Sequence, residues 1–196
     1  MLAQPTPYIL WQREIQLVQQ KDQVIILYMQ DHQIRRVRMD VQHPAKITPT
    51  WHGDSVGHYE GDVLVVDTIG VKVGPYSMAD RLGTPQSEAV HVVERYRLID
   101  YEVAVAAEKA SEKQLFHIPT SSPIGEGIAV DPVYRGKGLQ LQFTVEDPNV
   151  FTMAWSATST YRRALSPWSE YICSENPHKN FGGFTTNVPE ANTPDF

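Results

Sequence analysis

Alternation of apolar and polar residues recurs along much of this chain and restricts its fold more than any other feature. In the run Leu139, Gln140, Leu141, Gln142, Phe143, Thr144, Val145, every second side chain is apolar. That is the pattern of a strand with one buried and one solvated face. Segments 23–30 and 88–99 are rich in β-branched and aromatic residues, which suit a pleated, half-buried surface. Taken together, 13–19, 23–30, 34–40, 54–60, 63–69, 88–99, 101–107, 138–146, 150–163 and 168–174 read as strands between turn-like residues. Between 54–60 and 63–69, Gly61 and Asp62 predict a tight hairpin turn.

Helical signal is confined to 105–115, where Ala, Glu and Lys predominate. It opens an excursion over 108–137 that is rich in Pro, Gly and Ser and reads as an insertion. Residues 177–196 lack periodicity and read as an extended C-terminal tail. The expected fold is therefore all-β: a single antiparallel β-barrel of the lipocalin-like calyx type over 1–196, with the loop and short-helix insertion at 108–137. Closure removes exposed strand edges, and a barrel of about eight strands has room for one small ligand.

Composition narrows the partners. The formal net charge is −6, and the densest basic cluster is Arg35, Arg36 and Arg38, too short to track a phosphate backbone. This argues against nucleic acid. No run of about eighteen apolar residues occurs, so no membrane span is expected. The start MLAQPTPY lacks a basic and then apolar leader, the expectation for a cytoplasmic protein or a mature secreted chain. Cys173 is the single cysteine; it excludes an intrachain disulfide and reads as a small buried hydrophobe. A homo-oligomer stays open.

The stretch PTWHGDSVGHYEGDVLVVDTIG, residues 49–70, gathers candidate chemistry. If His58 faces the interior, so does Glu60, two residues on. Asp67 shares a face with Val63 and Val65, and Glu94 with Val90, Val92 and Tyr96, while His91, Arg95 and Arg97 take the opposite face. His58, Glu60, Glu94, His32 and Asp67 are the candidate acids and bases, because a carboxylate or imidazole in an apolar hollow is poised for proton transfer. Tyr28, Trp51, Tyr96, Trp155 and Tyr161 are candidate binding aromatics, and Arg35 a candidate partner for an acidic group. Each has a structural alternative: Glu94 paired with an arginine, His32 idle at the rim, the aromatics as plain core. There is no HxH or HExxH pair, and His91 and Glu94 lie on opposite faces, so neither a metal nor another cofactor is expected. Ser55 sits between glycines without the strand-to-helix turn of a nucleophile elbow.

The 49–70 stretch, with SEAVHVVERYRLID, FTVEDPNVFTMAWSATSTYR and EYICSEN, resembles a family of uncharacterised bacterial proteins built on a P-T-W-x-G-x-S-x-G-x-W-E-G-D-T-L-V-V-D-T-x-G core. The strand containing His32 and Arg35 is similar to that family's His-x-x-Arg strand. The resemblance covers most of the chain outside 71–86 and 108–137 and implies a secreted or periplasmic location. It implies no particular reaction. Tyr59 replaces the family's Trp, Gln86 replaces the His before Ser87, and the 108–137 insertion is additional.

Two functional classes follow. One is a cofactor-independent enzyme of the isomerase, cyclase, lyase or dehydratase type, acting by acid–base chemistry on a small, partly hydrophobic molecule inside the barrel. The other is a non-catalytic, lipocalin-like carrier of a small hydrophobic or aromatic ligand.

Overall fold

The alternating segments assemble into one eight-stranded sheet that curls into a half-barrel. The computed structural model describes residues 14–29, 32–74, 77, 84–114 and 130–165. Its strands are β1 (Ile15–Gln19), β2 (Gln23–Tyr28), β3 (Ile34–Met39), β4 (Asp54–Glu60), β5 (Val63–Ile69), β6 (His91–Ile99), β7 (Gly138–Glu146) and β8 (Trp155–Tyr161), with one helix, α1 (Tyr101–Gln114), between β6 and β7. Strand order follows chain order from β1 to β8. The readings at 168–174 and 177–196, residues 115–129 of the insertion and Cys173 lie outside the described residues.

Two expectations about the sheet change. The sheet is not a closed barrel: β1 and β8 are its edges among the described residues. Periodicity reports which face of a strand is buried, not whether the first and last strands meet. Nor is the sheet purely antiparallel, because β3 and β4 run parallel through Val37↔Ser55 and Met39↔Gly57.

The segment expected as a strand at 101–107 is the start of α1. Its first intrahelical bond runs from Ala104 N to the Asp100 carbonyl at 3.0 Å, with Asp100 at the favoured N-cap position. Small Ala104 is buried while Val103 is exposed, so helical packing overrides the short alternation. Ala104 lies so close to Gly138 that a Cβ there would approach within 2.6 Å of its methyl. Arg162 holds Glu108 at 2.6 Å, further fixing the helix against the β7–β8 end.

The hairpin at Gly61 and Asp62 forms as expected: Glu60 opposes Val63, and Gly61 takes φ +59. Inside the curl, Val24 and Ile26 of β2, Val37 and Met39 of β3, Leu64 and Val66 of β5, Val92 of β6 and Leu141, Phe143 and Val145 of β7 form the apolar core. Burying each such side chain stabilises by about 1.5–3 kcal/mol.

Candidate functional site

The concave face carries a charge cluster at its centre. Glu94 of β6 projects from the same face as Val92 and Tyr96 and is fully buried. One carboxylate oxygen accepts from Arg35 Nη2 at 2.6 Å and the other from Tyr96 Oη at 2.6 Å. The Arg35 guanidinium lies 6.0 Å from the Tyr28 ring centroid. Burial opposes the charge on Arg35, but Glu94 together with the Tyr28 and Tyr96 phenols more than offsets it and holds the guanidinium's pKa above its ordinary value. Burial, reinforced by the Glu94 charge, raises the phenols of Tyr96 and Tyr161. Burial and then the Arg35 charge lower His52, whose Nε2 meets Gln33 Oε1 at 2.8 Å. Both Glu94 oxygens accept from buried donors and its side chain is 0 % exposed, so the pair clasps β3 to β6 as a buried ion pair.

A second cluster lies on the outer face, and the parallel β3–β4 pair creates it. Parallel neighbours cannot be joined by a hairpin, so residues 40–53 cross over the outside of the sheet. Gly70, at φ +68, accepts this crossover, since a Cβ there would collide with Ile47 Cγ2. The crossover carries His43 onto the sheet. Its Nδ1 meets Asp54 Oδ1 at 2.6 Å and its Nε2 meets Asp67 Oδ1 at 3.1 Å. From the other side, His91 Nε2 reaches both Asp67 oxygens at 3.1 Å. Arg38 donates to Asp54 at 2.6 Å, and His91 Nδ1 faces Glu146 at 3.6 Å.

Arg38, Asp54, His43, Asp67, His91 and Glu146 thus form a chain in which basic and acidic side chains alternate, running from β3 through the crossover, β4, β5 and β6 to β7. The side chains of His43, His91 and Asp67 are 18, 33 and 39 % exposed, so the junction is open to solvent. The His91 hydrogen bond, with further help from His43, lowers Asp67 below the usual carboxylate range. The Asp67 hydrogen bond raises His91 above the usual imidazole value. A neutral imidazole has one N–H. His43 faces one carboxylate with each ring nitrogen, Asp54 through Nδ1 and Asp67 through Nε2.

The sequence-derived candidates separate accordingly. Glu94, Tyr96, Arg35 and Tyr28 come together inside the curl. Tyr161 and Trp155 of β8 pack against the same core, with Trp155 edge-on to Phe143 at 5.8 Å and to Phe151 at 6.0 Å. His58 and Glu60 share a face as expected, but it is the outer one: they are exposed, 3.3 Å apart, and Glu60 is also held by Arg95. Gly57, not His58, lies inward, and its missing side chain makes room for Val37. Asp67 likewise points outward. His32 is a turn residue between β2 and β3 at φ +47, and half-exposed Trp51 stacks with Lys72 at 4.9 Å. Sequence reasoning passed over His43, Asp54 and the role of His91. The alternation put His91 on the correct face, but no periodicity signals His43, which sits in irregular backbone.

Among the described residues, no group of three or more His, Cys, Asp and Glu side chains is arranged to hold a metal ion, and no helix is long and apolar enough to cross a membrane. No family model matches the chain, and no curated protein or solved structure matches it either.

Proposed function

We propose that this protein is an acid–base catalyst of the isomerase, cyclase, lyase or dehydratase type, acting with its own side chains on a small, partly hydrophobic carbonyl compound. The observation that carries the proposal is the convergence of His43 Nε2 and His91 Nε2 on Asp67, in a site open to solvent. His43, oriented by Asp54 through Nδ1, is the base. His91, whose proton Asp67 stabilises, is the acid that protonates the developing oxyanion. Both lie within hydrogen-bond distance of Asp67, and each is oriented by a carboxylate.

Deuterium incorporation tests the proposal. Cyclic ketones, β-hydroxy carbonyl compounds and unsaturated carbonyl compounds are incubated with the protein in heavy water and followed by NMR. Wild type should label carbon next to the carbonyl of at least one class, and His43→Gln and His91→Gln should each slow that labelling at least a hundredfold, the scale of general acid–base catalysis. Labelling unchanged in the double variant, or no labelling by folded wild type across the panel, refutes it.

A second reading, a binding protein for a hydrophobic or aromatic ligand, draws on the aromatic side chains gathered inside the curl: Tyr28, Tyr96 and Phe143 in the core, with Trp155 and Tyr161 packed against it.

A further inference from the structure

Among the described residues, two buried polar side chains lack hydrogen-bond partners. Gln86 is 6 % exposed, yet neither its amide nitrogen nor its amide oxygen has a hydrogen-bond partner, and the indole Nε1 of Trp155 is buried in the same condition. Buried polar groups in native proteins are almost always paired, with protein, water or ligand, so two unpaired side chains near one end of one sheet call for an explanation.

Their placement follows from the register. Ser87, next to Gln86, is anchored on Asp147 through its backbone N at 2.7 Å and its hydroxyl at 2.6 Å. Asp147 follows β7 two residues after Val145, and Val145 is the cross-strand partner of Trp155. Gln86 is thereby fixed at the end of the sheet where Trp155 stands between Phe143 and Phe151. The chemistry of the set is specific. Gln86 offers one donor group and one acceptor, and Trp155 one further donor. The aromatic rings beside them suit a flat molecule.

We propose that Gln86 and Trp155 form a recognition site for a neutral carboxamide or lactam borne on a flat apolar ring. The ligand carbonyl accepts from the Gln86 amide nitrogen and from Trp155 Nε1, and the ligand N–H donates to the Gln86 amide oxygen. The site rests on reading the concave face as a binding surface and is independent of the outer-face histidines.

Benzamide and toluene, which share a ring and differ in the amide, are the probes. Each is titrated into nitrogen-15-labelled protein while the Trp155 indole and Gln86 side-chain signals are followed. Benzamide should shift both signals saturably and bind at least tenfold more tightly than toluene. Gln86→Leu should abolish that preference while keeping or raising the melting temperature, since it replaces an unpaired buried amide with an apolar group of similar size. Equal binding of the two probes would overturn the amide site and leave the binding surface standing. No binding of either, with the Trp155 indole proton in contact with water, would overturn both and assign these groups to solvent.

Discussion

Arg35 and Glu94, 59 residues apart in the chain, meet at 2.6 Å with side chains only 2 and 0 % exposed. They belong to β3 and β6, separated along the sheet by three strand spacings of about 4.8 Å. Their contact is direct because the sheet curls, so the pair ties the two sides of the half-barrel together. Removing one partner strands a buried charge. Arg35→Met or Glu94→Leu alone should cost about 3–5 kcal/mol, and the double replacement less than either single change. Urea unfolding of the three variants measures this, and additive losses would contradict the clasp.

Gly70 connects backbone geometry to the outer-face junction. Ala there meets both a positive φ and Ile47 of the crossover that delivers His43. Gly70→Ala should destabilise the fold by about 1–2 kcal/mol from the left-handed backbone alone. It should also displace the His43 ring signals in an NMR spectrum. Gly61 takes a similar φ with open space around it, so Gly61→Ala should carry the backbone cost and leave His43 unmoved.

Much of the sheet was legible, because a half-buried strand writes its burial into every second residue. The inward set Leu141, Phe143 and Val145 and the split between Glu94 and His91 both follow from that rule. Closure did not, since β1 and β8 carry the same kind of pattern whether or not they pair. The facing of β4 was misread because its exposed end mixes polar residues on both sides, and Gly57 accommodates a core valine rather than a ligand. His43 was invisible for a deeper reason. Its position depends on β3 and β4 being parallel, a relation between strands that neither strand encodes alone.

His58 and Glu60 separate the outer-face reading from an interior one. Both are exposed, and Glu60 is kept below the usual carboxylate range chiefly by its hydrogen bond from Arg95. His58→Ala and Glu60→Gln should leave the labelling reaction within twofold of wild type. A hundredfold loss in either would move the chemistry to the far end of β4, away from Asp67.

The Asp67–His91 pair predicts a pH profile with a definite sign. Folding raises His91 above 6.5, so its contribution is complete below that value and is lost as pH climbs through the folded-state pKa. Folding depresses Asp67 below 3.8, so its contribution is complete above that value and is lost as pH falls through the lower folded-state pKa. The pair should therefore stabilise fully between 3.8 and 6.5 and weaken on both sides. Both shifts are led by the same hydrogen bond, so Asp67→Asn should bring the His91 midpoint down toward 6.5. The same change should flatten the alkaline decline of the melting temperature relative to wild type. Titration of the His91 ring protons by NMR, with melting curves across the same range, checks both parts. A His91 midpoint that stays raised in Asp67→Asn would place its charge stabilisation on Glu146 instead and remove Asp67 from its assigned role.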